Sequence, residues 1–350
     1  MAPLTEAAVE ELARRVLALR DDVEFRTFWL GTRVRGPIQK ADAIALRHEA
    51  NHRVGLRVIE LNKDLAPTPE RPDAHIMLHL DTLTAEIRVR PLYLYGRYLK
   101  HSREIPQSKW PCRRCRGRGC PTCNFTGKRF QTSVEEMLGC VLLPRARARG
   151  TKLHSVGRED VDARMLGDGR PFVLELIEPR TRTFDIADVE GLFREKHGSE
   201  AEIRELHFTD NAVLDAVNSL APDKTYRVVV ACLTSAPRAA FAGLRTLESA
   251  TVRQETPRRV LHRRSNLIRE RVVRKVGVEL PAKGDSVSEF SITLRVESGT
   301  YVKEFVSGDE GRTCPSVAQL LDRPCECMAL DVMAVHCDPL AVARANRADA

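Results

Sequence analysis

The sequence predicts an α+β protein whose larger part is built on a mixed, largely antiparallel sheet. Strand-like apolar runs recur at irregular spacing in residues 172–177, 226–233, 290–296 and 328–335, with helical segments such as 189–195 between them. Irregular spacing and alternation within the runs favour an antiparallel or mixed sheet over a doubly wound parallel one. A chain of 350 residues suits two or three domains.

The first hundred residues predict a small α+β domain of their own. Apolar residues recur at helical spacing within 1–20, and 41–51 is a second helical stretch. Apolar residues alternate in 76–80 and again in 85–89, on either side of a turn, which predicts a hairpin. The proline-rich stretch 65–73 predicts a linker or an exposed loop.

Composition excludes several classes of protein. Charged residues interrupt the first twenty positions, so they do not form a signal peptide, and no run of eighteen apolar residues suggests a membrane span. We therefore expect a cytoplasmic protein with no membrane partner. The formal net charge of +8 is moderate and by itself only favours a nucleic-acid partner.

Four of the ten cysteines form the pattern C-x-x-C-x-G-x-G-C-x-x-C, at Cys112, Cys115, Cys120 and Cys123. Each pair offers two thiolates from one tight turn, and two such turns make a tetrahedral sulfur site, so the pattern predicts structural zinc. The connector is short, which leaves open that the pairs use other ligands or bind more weakly. A reduced cysteine-rich loop without metal is the other interpretation.

Residues 157–164 carry a dense charge cluster that leads into the apolar run 173–177. A charged loop that enters a buried strand is a place where chains put reactive groups, although a solvated turn has the same composition. Residues 258–275 carry eight Arg or Lys against one Glu, punctuated by apolar residues. This basic run is either a solvated basic face or, as we expect, a contact surface for RNA phosphates.

Six motifs carry a resemblance to a known family. They are GRYLKHSREIPQSKWPC (96–112), CPTCNFTGK (120–128), SVEEMLG (133–139), GREDVDARMLGDGRPFVLEL (157–176), ETPRRVLHRRSNLIRERVV (255–273) and SGTYVKEFVSGDEGRTCPS (298–316). In this order they resemble the archaeal and eukaryotic tRNA pseudouridine synthases that modify uridines 54 and 55 of the T arm, over about residues 49–335.

The resemblance implies a domain organisation and a reaction. Residues 1–105 would be a THUMP-like RNA-binding region, 106–130 a zinc knuckle, and 131–345 a pseudouridine synthase catalytic domain. Archaeal members often carry a further cysteine pair near the N-terminus, whereas the first cysteine here is Cys112. The implied partner is the T arm of tRNA, with no obligate protein partner. Because the reaction detaches uracil from C1′ and rejoins it through C5, no organic cofactor is needed.

The implied nucleophile is the aspartate of a G-R-x-D motif, which falls on Asp160. Asp162 lies two residues away and stays a rival, because residues two apart share a face of an extended segment. Arg158 or Arg164 would orient the carboxylate or contact a flanking phosphate.

Further residues match positions that bind the substrate in related synthases. Tyr226 would stack on the extruded uracil and assist proton removal from C5, and Tyr301 matches a second base contact. Lys303 matches a basic partner of the catalytic carboxylate, with a phosphate contact as its alternative role. Arg263 and Arg264 in the basic run would contact phosphates.

Two other functional classes stay open. The same fold could belong to a catalytically idle RNA-binding protein or tRNA chaperone. THUMP domains also accompany methyltransferases and thiolation enzymes, but the sequence has neither a glycine-rich loop after a strand nor a P-loop.

Overall fold

The computed structural model of the protein describes residues 4–35 and 39–348, except for the side chain of Arg263. The α-helices are α1 Glu6–Ala18, α2 Lys40–Leu61, α3 Val134–Ala146, α4 Ile186–His197, α5 Asn211–Ser219, α6 Val302–Ser307, α7 Val317–Leu321 and α8 Pro339–Ala348. Short 3-10 helices span Leu19–Asp21, Pro121–Cys123, Arg238–Leu247, Arg258–Arg263 and Asp309–Gly311.

The strands are β1 Thr27–Arg33, β2 Ala66–Pro67, β3 Ala74–His79, β4 Thr84–Val89, β5 Leu92–Lys100, β6 Gly150–Ser155, β7 Ala163–Ile177, β8 Ala201–Thr209, β9 Lys224–Pro237, β10 Thr251–Glu255, β11 Ile268–Glu279, β12 Ser286–Val296, β13 Thr313–Cys314 and β14 Cys325–Val335. The described chain therefore contains both helices and strands, and the predicted α+β class is confirmed.

One of two units comprises residues 1–93, 138–152 and 174–189. Its four-stranded sheet has the order β2-β1-β3-β4, in which β1 runs parallel to β2 and β3. The predicted hairpin is confirmed as the antiparallel pair β3–β4. Apolar residues of α1 and α2 pack with one face of the strands, where Leu12, Val54 and Ile76 are buried. Because successive side chains of a strand point to opposite faces of its sheet, the face away from α1 and α2 is exposed.

The second unit comprises residues 94–137, 153–173 and 190–350. The larger sheet has the order β13-β10-β11-β12-β9-β14-β7-β5-β8, and β6 pairs with β7. The pairs along β10-β11-β12-β9-β14 are antiparallel, whereas β14 and β7 are parallel, so the predicted mixed sheet is confirmed. The core of this unit lies under β9, β12 and α6.

The units are discontinuous in sequence and include segments on both sides of residues 105 and 130. The division into 1–105, 106–130 and 131–345 therefore stays a prediction. Within residues 4–35 and 39–348, no helix combines the length and the apolar character needed to cross a bilayer.

Candidate active site

The charged loop, residues 157–162, connects β6 to β7. The N–H of Val156 donates to the carbonyl of Pro171 at 3.1 Å, and that of Ala163 to the carbonyl of Asp160 at 3.1 Å. Gly157 has a φ of +76°, and a Cβ there would lie 3.2 Å from Nη1 of Arg170. A glycine is therefore needed for the turn and for the close approach of Arg170.

A buried ion pair lies beneath this loop. Nε of Arg170 donates to Oε2 of Glu159 at 2.8 Å, and both side chains are at most 1% exposed. The hydroxyl of Tyr98 donates to the same carboxylate at 2.9 Å, and Nε2 of Gln107 donates to that hydroxyl at 2.7 Å. Burial raises the pKa of Tyr98 well above its usual value, so the hydroxyl keeps its proton. Glu159 is therefore held in the interior, whereas the side chain of the next residue, Asp160, is 38% exposed.

The far end of the loop is held through its main chain. Nζ of Lys100, a fully buried side chain, donates to the carbonyl of Val161 at 2.8 Å. Burial lowers the pKa of Lys100 to about 8. Nη1 of Arg103 donates to the carbonyl of Asp162 at 2.9 Å. The far end of the loop is thus held by the buried Lys100 and the partly exposed Arg103.

Two basic side chains meet the two aspartates of the loop. Oδ2 of Asp160 lies 3.1 Å from Nη1 of Arg259 and 3.7 Å from Nζ of Lys303. The same Nζ lies closer to Asp162, at 2.6 and 2.8 Å from its two oxygens. Burial raises the pKa of Asp162, but the hydrogen bond and charge of Lys303 outweigh it and lower that pKa overall.

The two aspartates differ in their position relative to a cavity of about 740 Å³. Asp160 lines this cavity, whereas Asp162 does not line it and its side chain is 64% exposed. Cavities of this size hold small ligands. Several basic and aromatic side chains share the wall with Asp160: Arg158, Tyr226, Arg259, Arg264, Arg269, Tyr301 and Lys303.

The two tyrosines reach the cavity from different elements. Tyr226 lies near the start of β9, and burial raises the pKa of its hydroxyl to about 12, so Tyr226 is neutral at physiological pH. Tyr301 precedes α6, where its main-chain N–H donates to Oε1 of Gln254 at 2.9 Å. The guanidinium of Arg269 lies 5.9 Å from the centre of the Tyr301 ring. The cavity therefore offers aromatic and cationic surfaces next to the carboxylate of Asp160.

Comparison with known proteins gives the family. Residues 93–336 match the family model described as "Pus10, C-terminal". A protein of Methanopyrus kandleri named tRNA pseudouridine synthase Pus10 is 40% identical, over 93% of this chain and 77% of its own length. A protein of the same name from Archaeoglobus fulgidus is 37% identical, over 93% of this chain and 92% of its own length.

The chain belongs to the Pus10 family. A crystal structure of a Cbf5-Nop10-Gar1 complex is similar at a TM-score of 0.35 and 15% identity, over 58% of this chain and 44% of that chain. A similarity of this size carries no argument about fold or function.

In this Pus10 family member, the structure brings six of the predicted site residues together and leaves Arg164 apart. Asp160, Tyr226, Tyr301, Lys303, Arg158 and Arg264 all line the cavity. Arg164 does not line it, since Nη2 of Arg164 pairs with Oδ2 of Asp331 at 2.7 Å. Arg263 lies in the 3-10 helix Arg258–Arg263, and its side chain is outside the described residues.

The sequence-based prediction missed Arg259 and Glu304. Nε of Arg259 lies 2.6 Å from Oε1 of Glu304, whose side chain is 7% exposed, while Nη1 contacts Asp160. Both residues stand in motifs quoted above, so a signal was present, but Arg259 falls in the basic run for which the sequence predicted only contacts with RNA phosphates. The structure instead uses Arg259 to join the nucleophile candidate to a buried carboxylate.

The four cysteines of this Pus10 family member converge on one point. Their sulfur atoms lie within 4.8 Å of one another, which could hold a metal ion. The Sγ–Sγ distances are 3.9 Å for Cys112–Cys120, 3.8 Å for Cys115–Cys123 and 3.7 Å for Cys120–Cys123. A tetrahedral sulfur set with bonds of about 2.3 Å requires separations of about 3.8 Å, so the donors fit a metal. Despite the short connector, both pairs face one site.

Proposed function

We propose that the protein is a tRNA pseudouridine synthase that isomerises uridine 54 and uridine 55 of the T-arm loop, with Asp160 as its nucleophile. Membership of the Pus10 family supports an isomerase that acts on tRNA. The observation that carries the proposal is the position of Asp160 on the wall of the cavity, together with Tyr226, Tyr301 and Lys303.

The reaction needs few groups, and the cavity offers each of them. A uridine extruded from the T loop enters the cavity, where the neutral ring of Tyr226 stacks against uracil. A carboxylate oxygen of Asp160 attacks C1′ and forms a C1′–O bond as the C1′–N1 bond breaks and uracil leaves with the electron pair. After the base turns, a C1′–C5 bond forms, the carboxylate leaves, C5 loses its proton and N1 gains one. Atoms and electrons balance without an organic cofactor.

The remaining side chains position the nucleophile. Arg259 and Lys303 approach Asp160 from two elements and orient its carboxylate. The buried pair Glu159–Arg170 fixes the loop that carries it. Such positioning holds the nucleophile in place before the substrate arrives, which lowers the entropic part of the reaction barrier. Arg264 remains a proposed phosphate contact, and we do not assign Arg164 a substrate role because it pairs with Asp331.

Zinc is the metal we propose for the four-cysteine site. Four thiolates in tetrahedral arrangement are the usual donor set of structural zinc. Such a metal stabilises loop segments that have too small a hydrophobic core to fold without it. Residues Cys112, Cys115, Cys120 and Cys123 would be the ligands. The metal would have a structural role and no part in the reaction.

The N-terminal region, residues 1–105, is proposed to be a THUMP-like RNA-binding region. Its support is the exposed face of the four-stranded sheet, where Trp29, His75 and Arg88 form a row across three strands. Aromatic and cationic side chains on one face suit single-stranded RNA. Trp29→Ala should weaken tRNA binding about tenfold in a filter-binding assay, and an affinity equal to wild type would contradict this role.

The experiment that tests the proposed function uses the full chain and an unmodified tRNA transcript. Pseudouridine is mapped at each position after incubation, with transcripts that carry cytidine at position 54 or 55 as controls. We expect product at both positions in the parent transcript. Product elsewhere would contradict the target assignment, and tight binding with no product would favour the RNA chaperone.

A further inference from the structure

The cavity that Asp160 lines is called the catalytic cavity below. A second cleft of about 440 Å³ lies beside it, within the same unit. Its wall comes from residues 108–111 and Arg113 at the start of the four-cysteine segment (112–123), from Arg129 after that segment, from Arg158 of the charged loop and from His262 of the basic run. Trp110 and Arg158 line both this second cleft and the catalytic cavity. The two spaces are therefore adjacent and share a boundary.

The second cleft is strongly basic. Lys109, Arg113, Arg129 and Arg158 line it, and its lining includes no carboxylate. Among the residues that the structure describes, none of these four side chains forms an ion pair with a carboxylate. Four like charges around one cleft repel one another unless an anion lies between them. The charge pattern indicates an anionic ligand.

An aromatic ring adds a second kind of contact. The guanidinium of Arg129 lies 5.2 Å from the centre of the Trp110 ring, and Phe130 packs edge-on at 5.5 Å. The N–H of Arg129 also donates to the carbonyl of Trp110 at 2.9 Å. The wall is thus held in place before any ligand binds. Cations beside a fixed aromatic ring match the chemistry of a nucleotide, which presents a phosphate and a base.

We propose that the second cleft binds the nucleotide that adjoins the target uridine in the RNA chain. Its phosphate contacts Lys109, Arg113 and Arg158, and its base packs against Trp110. Because the clefts share Trp110 and Arg158, an RNA whose uridine occupies the catalytic cavity has its neighbouring nucleotide at the second cleft. This inference rests on the proposed function, and it gives the four-cysteine segment a role in holding substrate.

The test compares two variants of the full chain. Lys109→Gln/Arg113→Gln removes two exposed charges of the cleft, while Arg116→Gln removes an exposed charge of the same segment that lines neither space. Dissociation constants are measured for an unmodified T-arm stem-loop RNA over a series of salt concentrations. We expect the double variant to bind about tenfold more weakly and its salt slope to fall by up to about 1, because the two side chains contact a single phosphate.

Chemically altered RNAs locate the contact. A neutral methylphosphonate replaces the phosphate on the 5′ or the 3′ side of the target uridine. At one of these positions it should weaken binding to wild type and to Arg116→Gln, but weaken binding to the double variant much less, since only Arg158 still contacts that phosphate. Trp110→Leu should weaken binding about tenfold, but less for an RNA whose neighbouring nucleotide has no base.

Either of two results would overturn the inference: a double variant with the affinity and salt slope of Arg116→Gln, or an equal methylphosphonate effect in both proteins. Failure of the proposed function is distinguishable, since it appears as absent pseudouridine in wild type while these binding differences persist. Conversely, wild-type pseudouridine formation with unchanged binding in the double variant would reject the second cleft alone.

Discussion

At the residue scale, Arg259 joins two acidic side chains of different character. Through Nη1 it contacts Asp160 on the cavity wall, and through Nε it contacts the nearly buried Glu304. Glu304 follows Lys303 directly in α6. The same helix therefore supplies the ammonium group near Asp160 and the carboxylate that binds Arg259. The position of the Asp160 carboxylate therefore depends on α6 twice.

Replacing Arg259 should slow the reaction more than it weakens RNA binding. In Arg259→Gln the carboxylate of Asp160 loses one of its two orienting cations, and misplacement by about 1 Å can reduce a rate about a hundredfold. We expect the single-turnover rate at saturating tRNA to fall between about tenfold and a hundredfold. Arg258→Gln is the control, since Arg258 pairs with Glu310 instead. Equal rates in the two variants would reject a positioning role for Arg259.

A buried lysine gives a pH dependence of stability. Burial lowers the pKa of Lys100 from 10.5 to about 8, so between these pH values the unfolded chain binds more protons than the folded one. The free energy of unfolding therefore gains a contribution from Lys100 as pH rises through this window, of up to about 3 kcal/mol.

Urea unfolding at a series of pH values checks this expectation. The difference in unfolding free energy between wild type and Lys100→Met should increase from pH 8 to pH 10.5. The corresponding difference for Lys152→Met, an exposed lysine, should stay flat. A flat difference for Lys100→Met would mean that its ammonium group is not desolvated in the folded protein.

At the element scale, the four-cysteine segment combines a metal site with one wall of the second cleft. Cys112 and Cys115 are buried. The N–H of Gly119 donates to Sγ of Cys115 at 3.2 Å, and the N–H of Gly127 donates to Sγ of Cys123 at 3.3 Å. Such donors stabilise thiolates that carry negative charge. The local chain is therefore arranged for ionised sulfur.

Native mass spectrometry should find one metal ion per chain. Cys115→Ser replaces a buried ligand and should lose the ion, while Cys140→Ser changes an exposed cysteine of α3 and should keep it. Loss of the ion should also lower the midpoint of thermal unfolding, since a structural metal adds to folding free energy. A folded wild-type chain with no metal would contradict the zinc assignment.

Elements with a regular apolar pattern could be predicted from the sequence, whereas adjoining residues of the same elements that lack this pattern could not. The hairpin β3–β4 follows directly from alternation, and all four predicted strand runs lie within β7, β9, β12 and β14. β7, however, begins at Ala163, nine residues before the predicted run, because Gly167, Asp168 and Gly169 interrupt the apolar pattern that marks a strand. α2 likewise extends to Leu61, ten residues beyond the predicted stretch.

At the scale of the whole molecule, the candidate site joins residues from distant parts of the sequence. Motif register predicted Asp160, Tyr226, Tyr301 and Lys303, which all line one cavity. The pairing of Arg164 with Asp331 spans 167 positions, and no local pattern indicates it. Glu159 was equally unpredictable, because a charged residue is expected to be exposed unless a partner is known, and its partner Arg170 is buried with it.

We propose Asp160, rather than Asp162, as the nucleophile. Both aspartates lie near Lys303, but only Asp160 lines the cavity. Asn keeps the shape of either side chain and removes its charge, so folding and tRNA binding should be preserved in both variants and are measured first.

The deciding measurement is the single-turnover rate of pseudouridine formation on an unmodified tRNA transcript, for wild type, Asp160→Asn and Asp162→Asn. We expect no detectable product from Asp160→Asn, and a rate within about tenfold of wild type from Asp162→Asn, because Asp162 only pairs with Lys303. Product from Asp160→Asn at the wild-type rate, with none from Asp162→Asn, would contradict the assignment.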